Sequence, residues 1–84
     1  MSYQPVLSER ALAQMGGFPS DALSALGETM ALVCRDPYDP LVTMPTAEHA
    51  QLRRADFGDG RGFVTFLILD AVNVVRVIDI TWVG

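Results

Sequence analysis

The residues best suited to chemistry in this chain are three arginines and a tryptophan near one predicted turn. Arg53 and Arg54 precede the Gly-Asp-Gly segment 58–60, Arg61 follows it, and Trp82 lies two residues before the last residue given. Guanidinium groups bind phosphate oxygens through paired, charge-assisted hydrogen bonds. A cluster of these arginines would therefore suit a ligand that carries phosphate.

The overall charge favours a second interpretation of the same arginines. The chain has six arginines, no lysine and a net charge of −4. Because phosphate neutralisation dominates nucleic-acid affinity, any contact with RNA or DNA has to come from a local cluster. The alternative is surface arginines paired with Asp56 and Asp59, each exposed pair contributing only about 0–1 kcal/mol. The charge balance slightly favours this alternative.

Other reactive side chains favour structural roles. His49 lies beside a long predicted loop with no nucleophile near it, so we expect a surface histidine. Cys34 falls next to the apolar stripe of a predicted helix and is expected to be a buried, inert thiol. The carboxylates lack metal-loop spacing, and no metal or cofactor is predicted; these are Asp56, Asp59, Asp70 and Asp79.

The composition predicts a small cytoplasmic domain, 1–84. Half of the residues are apolar, which excludes a disordered chain, and the single cysteine excludes an internal disulfide and fits a reducing compartment. The longest apolar run, 62–69, is too short to cross a bilayer, and no basic start precedes an apolar segment as in a signal peptide. No membrane association is expected.

The first half of the chain predicts an edge strand and a helical hairpin. Segment 3–7 contains Pro5, which lacks a backbone donor and is best placed at a sheet edge. Ser8 is a predicted N-cap of a short helix, and Ser20 of a longer one that ends at Asp36-Pro37. The longer helix carries an apolar stripe for the core, formed by Leu23, Leu26, Met30 and Val33. Segment 38–49 has three prolines in or just before it and is predicted to be a loop.

The last third predicts an antiparallel meander of three strands, 50–57, 62–69 and 74–83. Asp59-Gly60 suits the centre of a type I′ turn, and that turn places Arg53 opposite Phe66. On this register Arg61 lies within cation–π reach of Trp82. The next turn predicts a positive φ at Asn73. The predicted fold is α+β, in the order β-α-α-β-β-β, with the meander packed against the αα-hairpin.

This layout resembles the RelE/ParE superfamily of bacterial toxins. The resemblance rests on the helical hairpin that ends in Asp36-Pro37, on the Arg-x-x-x-Gly-Asp-x-Arg pattern that begins at Arg54, and on the apolar final strand 74–80. It covers most of the chain. Members are toxins of type II toxin–antitoxin systems, and an antitoxin wraps and neutralises each of them.

The resemblance also implies roles for the arginines. RelE-like members cleave mRNA on the ribosome, so the ribosome and mRNA are implied partners beside a cognate antitoxin. By position, Arg61 matches the family's arginine after the hairpin turn and would act at the scissile phosphate as a catalytic residue. Arg53 and Arg54 would bind and position the RNA.

Two further hypotheses remain from the sequence. One is a non-catalytic interaction protein on the same fold, which would bind a peptide or a second copy through the exposed sheet edge, with Trp82 as a partner-binding anchor. Trp82 is equally well explained as the residue that closes the edge of the core. The other is a ParE-like toxin directed at DNA gyrase. A homodimer is left open.

Overall fold

The last third of the chain folds into strands with alternating buried and more exposed residues, and these strands form the centre of the sheet. The computed structural model of the protein describes residues 2–84. Its elements are β1 (Gln4–Leu7), α1 (Glu9–Met15), α2 (Ser20–Arg35), β2 (Thr43–Pro45), β3 (Leu52–Phe57), β4 (Gly62–Leu69) and β5 (Val74–Trp82), with a single 3₁₀ turn at Asp70–Val72. The strands form one sheet in the order β1-β5-β4-β3-β2.

The meander has the predicted pairing. Arg53 lies opposite Phe66 in the antiparallel β3–β4 pair, as the turn at Asp59-Gly60 requires. Both turn residues have positive φ, 58° and 83°, and the Arg61 N–H donates to the Gly58 carbonyl at 3.2 Å. Asn73 also adopts the left-handed conformation at the second turn, with φ 54°. Local turn chemistry therefore sets the β3–β4 register.

The sheet contains one strand more than the sequence predicts. Thr43–Pro45 lies inside the predicted loop 38–49 and pairs antiparallel with β3, with Met44 opposite Arg54. A segment this short that ends in proline has no alternating pattern to reveal it, and it is a strand because β3 offers a free edge. The α+β class and the sequence β-α-α followed by the meander are confirmed, with β2 inserted before it.

The helices begin much as predicted. The Ser8 hydroxyl accepts a hydrogen bond from the Ala11 N–H at 3.1 Å and caps α1. The predicted cap at Ser20 is wrong by one position, because Pro19 is the N-cap of α2 and Ser20 is its first helical residue. Pro19 offers no side-chain acceptor, and the Asp21 carboxylate instead accepts from the Ala22 N–H at 3.0 Å.

The core lies between the two helices and one face of the sheet. From the helices it takes mainly Ala11, Leu26 and Val33, and the sheet contributes a larger buried set. That set is Ala55, Phe57, Val64, Phe66, Ile68, Val75, Val77 and Ile80. Within residues 2–84, none of the helices has the length and apolarity needed to span a membrane.

Candidate functional site

The sheet face that the helices leave uncovered is the surface on which a ligand would meet most of the exposed strand side chains. We call it the open face. Along β3 and β4, buried and less buried positions alternate strictly, so every second side chain lies on this face. It includes Leu52, Arg54, Asp56, Phe63, Thr65, Leu67, Leu69, Val74 and Arg76, and also Asp79 and Thr81, which lie opposite Thr65 and Phe63.

Arg54 is held on the open face by an aromatic ring. Its guanidinium carbon lies 4.4 Å from the centroid of the Phe63 ring, a cation–π distance. Arg54 stands opposite Thr65, and both side chains remain accessible to solvent. The guanidinium thus keeps its edge donors free while the ring fixes its position.

Arg76 is the second exposed arginine of the open face. It lies opposite Leu67 on β5, two strands away from Arg54. Arg76 forms no salt bridge among residues 2–84, where Asp79 pairs with Arg10 at 3.0 Å. Because side chains alternate along β5, Arg76 lies on the same face of the sheet as Arg54.

Arg53 lies on the opposite face from its neighbour Arg54. It is only 8% exposed, its Nε donates to the Thr43 Oγ1 at 2.9 Å, and its guanidinium carbon lies 5.4 Å from the Tyr38 ring centroid. Adjacent strand residues point to opposite sides, so these two arginines cannot share one surface. Arg53 instead ties β3 to β2 and to the segment that follows α2.

Arg61 occupies the end of the β3–β4 hairpin. Its guanidinium carbon lies 4.9 Å from the Trp82 ring centroid, which confirms the predicted contact, and its Nε donates to the Gly58 carbonyl at 3.3 Å. Trp82 in turn stacks on Phe57 with centroids 5.7 Å apart and planes 19° from parallel. Trp82 is therefore half-buried at the edge of the core, with Arg61 as its outer cover.

Arg53, Arg54 and Arg61 form no ion pair with a carboxylate in the part of the chain that the structure describes. This corrects the pairs with Asp56 and Asp59 that the sequence favoured. Within residues 2–84 the single salt bridge joins Arg10 to Asp79. Each of the three arginines lies over an aromatic ring instead. The three do not form one cluster, because β3 places Arg53 and Arg54 on opposite faces and Arg61 lies at the hairpin end.

A tyrosine–aspartate cluster that the sequence did not predict joins three distant segments. The hydroxyls of Tyr3 and Tyr38 donate to the two oxygens of Asp70, each at 2.6 Å. These hydrogen bonds lower the pKa of Asp70 and raise that of Tyr3, and the bond to Asp70 raises the pKa of Tyr38 to about 12. At neutral pH both phenols are protonated donors to a carboxylate, so neither serves as a base. Sequence separations of 67 and 32 residues hide the cluster from any local pattern.

The remaining reactive side chains have structural surroundings. The Nδ1 of exposed His49 accepts from the Gln51 N–H at 3.2 Å. Burial raises the pKa of the Cys34 thiol, which keeps it protonated. Among residues 2–84, no group of three or more histidine, cysteine or acidic side chains is arranged to hold a metal ion.

The open face carries the types of side chain that bind a polyanion with exposed bases. Its two arginines supply fixed charge and edge donors for phosphate oxygens, and Phe63 is a flat apolar ring of the type on which nucleobases stack. Asp56 stands on the same face and opposes the attraction of phosphate. Binding here would depend on local geometry rather than on the total charge.

The fold is shared with bacterial toxins of known structure. The isolated E. coli RelE toxin matches with a TM-score of 0.85 at 17% identity, over 99% of this chain and 86% of the toxin. The intact E. coli RelBE toxin–antitoxin complex gives 0.84 at 17% identity, over 99% of both chains. The RelBE2 toxin–antitoxin complex from Mycobacterium tuberculosis gives 0.82 at 19% identity, over 98% of this chain and 99% of that one.

These similarities establish a fold. The amino-acid sequence matches no family model and no curated protein. At identities below 20%, what the structures share is the path of the backbone. The chain has the RelE toxin fold, as its resemblance to the RelE/ParE superfamily predicted.

Proposed function

We propose that this protein is the toxin of a type II toxin–antitoxin module and that it inhibits translation by cleaving mRNA on the ribosome. The observation that carries the proposal is the superposition of nearly the whole chain on RelE, both as an isolated toxin and within a toxin–antitoxin complex. A cognate antitoxin is the partner that would neutralise it.

The open face supports the RNA-directed form of this activity. Arg54 and Arg76 would bind phosphates on either side of β4, and Phe63, which lies beside Arg54, would stack a base. Arg61 would contact the backbone where it passes the hairpin end and would stabilise charge at the scissile phosphate. In this proposal Arg53 positions the RNA indirectly, because its bond to Thr43 fixes the strand that carries Arg54.

The proposal is tested by induced expression in a bacterial host. Wild-type protein should arrest growth, produce ribosome-associated cuts in mRNA and be neutralised by a co-expressed antitoxin. Arg61→Ala and Arg54→Ala should each relieve the arrest and lose the cuts. Arg35→Ala is the matched control: it removes an exposed arginine from the end of α2, away from the open face, and should stay toxic.

Two results would replace the proposed target or activity. Growth arrest with trapped gyrase–DNA complexes and uncut mRNA would assign a ParE-like target. A folded chain that leaves growth unaffected would assign the second candidate, a non-catalytic interaction protein.

One observation favours that second candidate. The guanidinium groups of Arg54, Arg61 and Arg76 can stabilise negative charge, but a guanidinium has no acceptor atom for the proton of a 2′-hydroxyl. In a non-catalytic role the same face would hold a ligand without cutting it. Binding of short single-stranded RNA that leaves the RNA intact on and off ribosomes would support this role.

A further inference from the structure

The two edge strands of the sheet, β1 and β2, each carry a proline. An edge strand normally presents a row of unpaired N–H and C=O groups, which can accept a strand from another chain. Every second residue of an edge strand points its N–H outward, so the effect of each proline depends on which positions those are. The hydrogen bonds of the structure decide this for both strands.

In β1, Pro5 occupies an outward position. The N–H groups of Gln4 and Ser8 donate inward to β5, at 2.8 Å to the Asn73 carbonyl and 3.0 Å to the Val77 carbonyl. The outward positions are therefore Tyr3, Pro5 and Leu7. The Tyr3 N–H already donates to the Cys34 carbonyl at the end of α2, at 2.7 Å, and Pro5 has no N–H. Of these three positions, only Leu7 keeps an outward donor.

In β2, Pro45 also occupies an outward position. The Thr46 N–H donates inward to the Leu52 carbonyl at 2.9 Å, which makes Thr43 and Pro45 the outward positions of this strand. The Thr43 N–H donates to the Asp39 carbonyl at 2.9 Å. Within β2, no outward donor remains free.

Side chains from the helices cover the strand ends that extend past these edge strands. The Gln14 Oε1 of α1 accepts from the Ile80 N–H at 2.7 Å, and the Ser8 hydroxyl donates to the Ile78 carbonyl at 3.1 Å. At the opposite edge of the sheet, next to β2, the Thr29 hydroxyl of α2 donates to the Asp56 carbonyl at 3.4 Å. Three edge groups beyond β1 and β2 are thus bonded within the chain, namely the Ile80 N–H and the carbonyls of Ile78 and Asp56.

We propose that Pro5 and Pro45 close both edges of the sheet to strand addition, so that neither a second copy of this chain nor an extended segment of a partner continues the sheet. A ladder needs alternating donors and acceptors, and each edge strand lacks the donor at its outward proline. Partners must then contact the helices or the open face. The closure concerns assembly and holds whichever function the chain has.

The test restores the missing donors. Pro5→Val, Pro45→Val and the double variant each supply an N–H on a residue that favours strands. Pro40→Val is the matched control, because it replaces an exposed proline of the segment before β2 that is not part of either edge. Sedimentation velocity over a wide concentration range should show the wild type and Pro40→Val as monomers and the double variant as a dimer or larger species.

Circular dichroism confirms that each variant is folded, and the single variants show which edge associates. A double variant that is folded yet stays monomeric at the highest concentration would overturn the proposal. Wild-type dimers whose edge-strand amides gain protection from hydrogen exchange on association would overturn it as well.

Discussion

The Tyr38 hydroxyl donates to the Asp70 Oδ2 at 2.6 Å and joins the segment after α2 to the turn between β4 and β5. Tyr3 donates to the other oxygen of the same carboxylate. One ionised side chain therefore holds together the start of the chain, the connection from helices to sheet and the last turn. Stability should respond to the protonation of all three groups.

We predict that stability falls at both ends of the pH range through this cluster. The pKa of Asp70 is lower in the folded state, so its contribution is complete above the ordinary value of about 4 and is lost as pH falls through the folded value. The pKa of Tyr38 is raised, so its contribution is complete below the ordinary value of about 10 and is lost as pH rises through about 12. Asp70→Asn should lower Tm at neutral pH and flatten both declines. Identical pH profiles of Tm for the variant and the wild type would refute this.

Alanine substitutions at two glycines of the hairpin turn distinguish the cost of backbone strain from the cost of a side-chain clash. Gly58 and Gly60 both have positive φ, so alanine at either should cost about 1–2 kcal/mol of unfolding free energy. A Cβ at Gly58 would also lie 2.6 Å from the Trp82 Cζ3, whereas at Gly60 nothing lies within 4 Å. Gly58→Ala should therefore cost more and displace the Trp82 ring. Urea unfolding gives the free energies, and the emission spectrum reports the displacement because Trp82 is the single tryptophan. Equal losses with unchanged spectra would contradict the contact.

The adjacent arginines Arg53 and Arg54 should differ in what they stabilise. Arg53→Ala removes a buried charge-assisted hydrogen bond to Thr43, and we expect a loss of about 1.5–3 kcal/mol in unfolding free energy. Arg54→Ala removes an exposed cation–π contact with Phe63 that contributes about 0.5–1 kcal/mol. Chemical denaturation of both variants distinguishes them, and a larger loss for Arg54→Ala would show that the two faces are assigned the wrong way round.

Phe66 should dominate the core. It is the largest of the fully buried side chains, and Phe66→Ala is expected to cost about 3–5 kcal/mol of unfolding free energy because the space it leaves does not refill. Leu41→Ala is the control: this leucine is 94% exposed, and its replacement should change stability by less than about 0.5 kcal/mol. Thermal and urea unfolding provide the comparison. A small loss at Phe66 would mean that the sheet and the helices are not packed as described.

The sequence by itself determined the meander, because its signals are local. Asp59-Gly60 specifies a turn with two positive φ values, and that turn fixes the β3–β4 register residue by residue. Because side chains alternate along a strand, the sequence also predicts that Arg53 and Arg54 lie on opposite faces of the sheet. The resemblance to the family had instead given both residues one RNA-binding role. The placement of Arg61 beside Trp82 followed from the same register.

Only the tertiary structure decided the contacts that join distant segments. The register of β4 against β5 shifts between Thr65 and Phe66, which leaves Ile78 as an extra residue and places Asp79 opposite Thr65, where it pairs with Arg10 of α1. β2, the Asp70 cluster and the bonds that close the sheet edges likewise depend on where separate elements meet. Such contacts arise from packing between residues far apart in the chain, and no local pattern of residue types records them.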